Sequence, residues 1–240
     1  MLTKEQLFII QNKFQTLKTN VLREYVQHLF LSSLYRTNGS ENILFKGGTG
    51  YRIAYKSPRF SEDLDFSAGN ISIREIEQIM INVMADLSNN GLMCEIEESK
   101  GTTGGYLAKL FAKIQEEKIP IGVQISLRQK VDKKYEIFDI INEYIPTYTA
   151  LLLPKETMIN KKIQAALTRS KPRDFYDIYF LLKNGILTSG QKNLLIQIKN
   201  VLSKKNITFA DELSHFLPRS MKPVAISFPK SLLSELDKFL

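Results

Sequence analysis

The pattern of apolar residues changes near residue 150, and this change constrains the fold more than any other feature. Before it, helical segments alternate with short apolar runs typical of buried strands, namely ILF (43–45), LMCEIEES (92–99), YLAKLFAKI (106–114) and IPIGVQISLR (119–128). After Pro154 the apolar spacing is helical, as in KETMINKKIQAALTRS and RDFYDIYFLLKNG. The sequence therefore predicts an α/β or α+β domain over residues 1–150 and a helical domain over residues 151–240.

The N-terminal segment predicts helices ahead of the first strand. Thr3 and Gln6 have the spacing of a capping box, and apolar residues then recur every three or four positions as far as Val21. A second helical stretch follows in VLREYVQHLFLSSLYR (21–36), and NGSEN (38–42) ends it. These helices are expected to flank the sheet of the first domain.

Composition excludes several classes of protein. Hydrophobic residues make up 43% of the chain and charged residues 24%, which is close to the average for folded globular proteins. The longest apolar runs, such as ALLL (150–153), are too short to span a bilayer, and the charged first residues lack the pattern of a secretory signal. With Cys94 as its single cysteine, the chain can form neither an intramolecular disulfide nor a cysteine-based zinc site. We expect a cytoplasmic protein without a membrane partner.

The net charge of +8 favours polyanionic partners, because basic surfaces concentrate phosphate-bearing ligands. Much of the excess lies in dispersed lysines, as in KVDKKYE (130–136) and LSKKN (202–206). A solvated surface explains each of these runs equally well.

A glycine-rich connection follows the first predicted strand. In ILFKGGTGYRIAYK (43–56), Gly47, Gly48 and Thr49 lie between the strand and a predicted helix. Backbone N–H groups in such a turn can hold a phosphate, and glycine lets the anion approach the backbone closely. Taken alone, the three residues are better explained as an ordinary tight connection.

Two aspartates follow in EDLDFS (62–67). Asp63 and Asp65 flank Leu64, so on an extended strand both carboxylates point to one side. Such carboxylates repel each other unless a cation lies between them, and Mg²⁺ prefers carboxylate and phosphate oxygens as ligands. An isolated pair of this kind is more often a solvated acidic turn. A phosphate-holding turn joined by one helix to paired carboxylates, however, indicates a metal-dependent nucleotidyl transfer site.

Two separated stretches resemble a known family. FKGGTGYRIAYKSPRFSEDLDF (45–66) resembles the first motif of the AbiEii-type nucleotidyltransferase toxins, which are members of the DNA polymerase β-like superfamily. KIQAALTRSKPRDFYDIYFLL (162–182) is similar to the lysine-containing and Arg-Asp-x-x-Asp motifs of that family. The two motifs occur in the expected order, and the resemblance covers about residues 23–182.

The resemblance implies a nucleotidyltransferase fold, with a mixed sheet, flanking helices and a C-terminal helical domain. It implies an enzyme that binds NTP with Mg²⁺ or Mn²⁺ and transfers a nucleotidyl group to an RNA hydroxyl, such as that of a tRNA end. It also implies the toxin half of a toxin–antitoxin pair, with a cognate antitoxin as partner.

The resemblance assigns roles to individual residues. Asp63 and Asp65 would hold the metal ion, and Lys162 would neutralise the phosphates. The residues assigned to nucleotide binding are Gly47, Gly48, Thr49, Arg59, Ser61, Asp174 and Asp177. Asp174 and Asp177 share one helix face and would line the nucleotide pocket or orient Lys162. Alternatives are a structural pairing of these two aspartates with Arg169 and Arg173, a solvated Arg59 and a capping Ser61.

The sequence departs from the family at the third acidic motif. The best match is GVQISLR (122–128), where Gln124 stands in place of the carboxylate that helps to hold the metal or to deprotonate the attacking hydroxyl. An amide coordinates weakly and is no base at ordinary pH. Glu95 and Glu97 would be substitutes, although a solvated strand face explains them better.

Two further hypotheses stay open, and Gln124 favours the first of them. A degenerate family member would bind nucleotide or RNA without turnover and act as a regulator or an interaction module. The second hypothesis is an α/β protein with a purely structural role, in which both motifs occur by coincidence. It requires two separate motifs to arise independently by chance.

Overall fold

The computed structural model describes residues 2–128, 134–204 and 207–240, so parts of KVDKKYE and LSKKN lie outside the described residues. The described chain contains one seven-stranded sheet and ten α-helices, which confirms the predicted mixed α/β class. It forms two compact units. The first unit comprises residues 1–56 and 60–154, and the second comprises residues 57–59 and 155–240.

The first unit holds the whole sheet. Its elements are α1 (Lys4–Phe14), α2 (Lys18–Leu34), β1 (Ile43–Lys46), α3 (Gly47–Ile53), β2 (Leu64–Ala68), α4 (Ile73–Asn89), β3 (Met93–Thr102), β4 (Gly105–Ile114), β5 (Glu117–Ser126), β6 (Glu136–Ile140) and β7 (Tyr148–Leu152). The strand order is β3-β4-β5-β2-β1-β7-β6. β2 pairs antiparallel with β1 and parallel with β5, so the Asp-containing strand lies at the centre of a mixed sheet.

The N-terminal helix is shorter than the sequence predicts. α1 ends at Phe14, because Gln15 adopts a left-handed conformation with φ of 50°, and α2 begins only at Lys18. One continuous helix from Leu7 to Val21 is therefore wrong. Neither glycine nor proline marks the break, so the local sequence carries no stop signal.

Side-chain alternation on β5 separates a buried face from an exposed one. Ile121, Val123 and Ile125 are buried in the core, whereas Lys118 and Gln124 are exposed. This is the period-two pattern of a strand with one face against a core. Gln124 consequently faces away from the core.

A buried ion pair fixes α3 against α2. Arg52 Nε donates to Glu24 Oε1 at 2.6 Å, and Tyr144 Oη donates to Glu24 Oε2 at 2.7 Å. Burial opposes ionisation of Glu24, but the charge and hydrogen bond of Arg52 outweigh it and lower the pKa of the carboxyl below its usual value. The Arg52 guanidinium also lies 3.9 Å from the centre of the Phe60 ring. These contacts set the position of the glycine-rich helix.

The second unit is helical. Its elements are α5 (Lys155–Arg169), α6 (Pro172–Lys183), α7 (Lys192–Lys204), α8 (Ala210–Phe216), α9 (Lys222–Ser227) and α10 (Lys230–Phe239). α6 is its core helix, since every residue from Asp174 to Leu182 is buried. Across residues 2–128, 134–204 and 207–240, no helix has the length and apolar character needed to cross a membrane.

Candidate active site

The two predicted metal ligands lie at the start of the central strand. Leu64 and Phe66 on β2 are fully buried, so alternation directs Asp63 and Asp65 away from that part of the core. Asp65 is in register with Lys46 on β1 and with Gln124 on β5. The carboxylate pair is therefore flanked by a cation on one side and an amide on the other.

Two glycines leave the space that these carboxylates occupy. A β-carbon on Gly47 would overlap Oδ2 of Asp65, and a β-carbon on Gly122 would overlap Oδ1 of Asp63. Gly47 also has φ of 84°, a conformation that side chains other than glycine rarely adopt. Both aspartates thus depend on glycines that lie elsewhere in the chain.

The Gly-Gly-Thr segment forms the first turn of α3. Lys46 is the extended N-cap residue and Gly47 already belongs to the helix, so the separate turn predicted between strand and helix is wrong. The first N–H groups of a helix have no acceptor within it, which leaves those of Gly48 and Thr49 as candidate donors to an anion. The helix therefore begins directly after the strand, with no turn between them.

Two buried polar side chains hold the backbone that leads into β2. Thr49 is fully buried, and its hydroxyl donates to the main-chain oxygen of Asp63. Gln27 Nε2 donates to the main-chain oxygens of Ser61 at 3.0 Å and Glu62 at 2.9 Å. The Thr49 hydroxyl therefore has a structural partner, and any phosphate contact of this residue would come from its N–H group.

The second predicted motif forms a buried charge cluster within the second unit. Lys162 Nζ lies 3.0 Å from Asp174 Oδ1 and 2.8 Å from Asp177 Oδ2. Arg59 donates twice to Asp177, at 2.8 and 2.9 Å, and Arg169 Nε donates to Asp174 at 2.6 Å. Both aspartates are completely buried.

The charges in this cluster keep each other ionised. Burial raises the pKa of Asp177, but the Arg59 and Lys162 charges outweigh it and hold the pKa below its usual value. Burial likewise raises the pKa of Asp174, and the Arg169 hydrogen bond and the Lys162 charge reverse the shift. Three cations meet two anions, so these five side chains together carry an excess positive charge.

A family model matches a part of the chain that includes both motifs. The family model described as "Nucleotidyl transferase AbiEii toxin, Type IV TA system" matches residues 29–222. The chain belongs to this family. The resemblance stated from the sequence is confirmed, and with it the nucleotidyltransferase class of the protein.

Two solved structures show the same fold. MenT4, a nucleotidyltransferase toxin from Mycobacterium tuberculosis H37Rv, matches with a TM-score of 0.65 and 16% identity over 99% of this chain and 90% of MenT4. JHP933 from Helicobacter pylori matches with a TM-score of 0.61 and 20% identity over 93% of this chain and 96% of JHP933. No curated protein matches the sequence.

Burial decides between some of the alternatives for the AbiEii motif residues. The predicted pairing of Asp174 with Arg169 is present, but both aspartates are buried and not on the helix surface. Arg173 lies 3.6 Å from Glu212 instead. Arg59 is only 2% exposed, so it is not a solvated arginine. The contacts favour orientation of Lys162, while nucleotide contact stays a prediction.

Lys162 belongs to the second unit, whereas Gly48 and Thr49 belong to the first, so neutralisation of the nucleotide phosphates by Lys162 also stays a prediction.

The two glutamates considered as substitutes for a third carboxylate are remote from the aspartate pair. Glu95 and Glu97 are exposed on the edge strand β3, which β4 and β5 separate from β2. Three strand spacings amount to about 14 Å. Neither residue can therefore join the Asp pair of this AbiEii-family protein.

The donor set fits one hard divalent ion. In the described part of the chain, no group of three or more His, Cys, Asp or Glu side chains is placed to hold a metal. Mg²⁺ usually takes only one or two carboxylates and completes its shell with water and substrate phosphates. Asp63 and Asp65, with the Gln124 amide beside them, meet that requirement.

Sequence reasoning missed three residues that support the site. Gly122 had a recognisable signal, since glycine inside a strand often marks a close approach. Lys46, whose Nζ donates to Ser67 Oγ at 2.9 Å, stood inside the quoted motif without an assigned role. Gln27 had no signal, because its partners are 34 and 35 residues away.

We expect Gly122→Ala to disturb the predicted metal site while leaving the fold intact. The new methyl group overlaps the carboxylate of Asp63, which must rotate away, whereas alanine in a strand otherwise costs nothing. Mg²⁺-dependent NTP binding should weaken about 10- to 100-fold, with unfolding free energy changed by less than about 1 kcal/mol. Calorimetric NTP titration and urea unfolding measure the two quantities.

Gly101→Ala on β3 is the matched control, because its methyl group would make only an ordinary 3.4 Å contact with Ile73. Equal Mg²⁺-dependent NTP affinity for the two variants would contradict the proposed dependence of Asp63 on Gly122.

Proposed function

We propose that the protein is a metal-dependent nucleotidyltransferase that uses NTP and an RNA hydroxyl. The observation that carries this proposal is the pair Asp63 and Asp65 at the centre of the sheet, each over a glycine and both directed away from Leu64 and Phe66. Membership of the AbiEii family supports the transferase class. In the reaction, an acceptor oxygen bonds to the α-phosphorus as the bond to pyrophosphate breaks.

The proposed roles follow the contacts. Asp63 and Asp65 would hold Mg²⁺ or Mn²⁺, which when bound supplies charge neutralisation and orientation of the phosphates. The N–H groups of Gly48 and Thr49 are the proposed triphosphate donors, while Gly47 makes room for Asp65. Ser61 contributes through its backbone, which Gln27 holds in place.

Lys162 is the proposed phosphate-neutralising residue. Asp174 and Asp177 hold its Nζ from two sides, and Arg59 secures Asp177. A preorganised cation stabilises developing negative charge without reorganising during the reaction. We therefore assign Arg59, Asp174 and Asp177 as positioning residues for Lys162.

The proposed acceptor is RNA, such as a tRNA end, and the proposed location is the cytoplasm. The net charge of +8 supports a polyanionic acceptor. Because the family is a toxin family of type IV toxin–antitoxin systems, we also propose a cognate antitoxin protein as partner.

A second candidate function is nucleotide binding without turnover. It is favoured by the register of β5, which places the Gln124 amide beside Asp65, where a carboxylate would provide a base. The protein would then act as a regulator or an interaction module.

Incubation with each α-labelled NTP and total RNA, with and without Mg²⁺, tests both functions. Mg²⁺-dependent label transfer to RNA is the expected result. Mg²⁺-dependent NTP binding without transfer would favour the second function, and absence of NTP binding would overturn both.

Gln124→Glu is expected to increase nucleotidyl transfer. A carboxylate beside Asp65 restores negative charge and a general base, whose assistance is typically worth about 10²- to 10⁴-fold in rate. Label transfer to RNA should be compared at equal NTP occupancy. Gln78→Glu, at an exposed position on α4, adds the same charge elsewhere and should leave the rate unchanged. Equal rates for the wild type and Gln124→Glu would reject this role for position 124.

A further inference from the structure

The net positive charge of the chain comes from its C-terminal part. Residues 1–154 contain 18 Lys and Arg and 18 Asp and Glu, so this part has no net charge. Residues 155–240 contain 15 Lys and Arg against 7 Asp and Glu, which accounts for the whole net charge of +8. By net charge, a nucleic-acid backbone is therefore attracted more strongly to residues 155–240 than to residues 1–154.

These cations include six exposed side chains that have no ion-pair partner among the described carboxylates. They are Lys171, Lys183, Lys204, Arg219, Lys222 and Lys230. Exposed cations form ion pairs more often in the first unit than in the second, as Lys100 and Lys109 do with Glu98. Paired charges have already lost part of their attraction for an external anion.

Four of the six lie on α6 or close in sequence to residues that contact α6. Tyr176, Tyr179 and Lys183 follow one another at three- and four-residue spacing and so share a helix face. Tyr176 Oη lies 3.8 Å from the sulfur of Met221, and the Tyr179 ring centre lies 5.5 Å from that of Phe228.

Met221 stands between Arg219 and Lys222 in the chain, and Phe228 stands two residues before Lys230. We call Lys183, Arg219, Lys222 and Lys230 the helical basic patch.

We propose that the helical basic patch binds the phosphate backbone of the nucleic-acid acceptor. The nature of the acceptor rests on the proposed function, whereas the location of the patch rests on charge and exposure. Lysine and arginine neutralise phosphates and release the counterions that surround them, and this drives binding without reading sequence. The neighbouring aromatic side chains Tyr176, Tyr179 and Phe228 are buried, so the patch offers charge and not base stacking.

Neutralisation of the patch tests the proposal. The variant combines Lys183→Gln, Arg219→Gln, Lys222→Gln and Lys230→Gln, all at exposed positions. The control combines Lys4→Gln, Lys13→Gln, Arg74→Gln and Lys113→Gln, which removes four exposed charges from the first unit. Affinity for fluorescently labelled tRNA is measured from 50 to 200 mM KCl, alongside Mg²⁺-dependent NTP binding.

The patch variant should bind tRNA roughly 10- to 100-fold more weakly at 50 mM salt, with a salt slope shallower by about 3 to 4. The control should retain the wild-type slope. NTP binding should be unchanged in both.

Equal tRNA affinities and slopes for the two variants would overturn the patch while leaving the proposed function intact. Patch-dependent tRNA binding by a protein that binds no NTP would support the patch and overturn the proposed function. Patch-dependent binding to phosphatidylserine vesicles without tRNA binding would show a membrane surface as the occupant and overturn the proposal.

Discussion

Asp63→Asn and Asp65→Asn are each expected to reduce nucleotidyl transfer by about 10²- to 10³-fold. Both carboxylates are assigned to one metal ion, and loss of charge stabilisation worth about 3 to 4 kcal/mol has this effect on rate. The repulsion between neighbouring carboxylates is also removed, so the unfolding free energy should stay unchanged or rise. Label transfer and Mg²⁺ titration of NTP binding measure the functional loss, and urea unfolding measures the stability.

Asp139→Asn is the matched control. Asp139 is an exposed strand residue that accepts a 3.0 Å hydrogen bond from Thr149, and it is assigned no metal. It should retain wild-type transfer. Undiminished transfer in both Asp63→Asn and Asp65→Asn would rule out the metal assignment, and a large loss of stability in both would show that the pair is structural.

Asp177→Ala is expected to lower the free energy of unfolding by about 3 to 5 kcal/mol, because it leaves Arg59 and Lys162 buried without their shared anion. Urea unfolding of the full chain measures the change. Glu212→Ala removes the partner of the more exposed Arg173 and should cost less than about 1 kcal/mol. Similar losses for the two variants would contradict the central place of Asp177 in the buried cluster.

The pKa of Asp177 predicts how the stability difference between the wild type and Asp177→Ala depends on pH. Its value in the folded protein lies below the ordinary 3.8, so the folded state favours the ionised form. The stabilisation is complete above the unfolded value and is lost as the pH falls through the lower folded value. The difference in stability between wild type and Asp177→Ala should therefore be constant from about pH 5 to pH 8 and shrink in stronger acid.

Local periodicity predicted the elements that carry the site. ILF is a strand in the structure, GVQISLR is strand as far as Ser126, and the segments after Pro154 are helical. The extended strand assumed for the aspartate pair is also present, as β2. The break between α1 and α2 at Gln15 was not predicted, because the left-handed conformation of Gln15 does not change the spacing of apolar residues. β6 and β7 were not identified individually either, and β7 proves to be the parallel neighbour of β1.

The sequence by itself determined that Asp63 and Asp65 share a strand face and that Asp174 and Asp177 share a helix face, since both follow from the repeat of one element. Only the tertiary structure decided what lies against them. Gly122 makes room for Asp63 because β5 pairs in parallel with β2, and the same register brings Gln124 beside Asp65. Arg59 meets Asp177 across 118 residues of chain. Strand register and burial depend on which distant segments pack together, and the local pattern of a sequence does not contain that information.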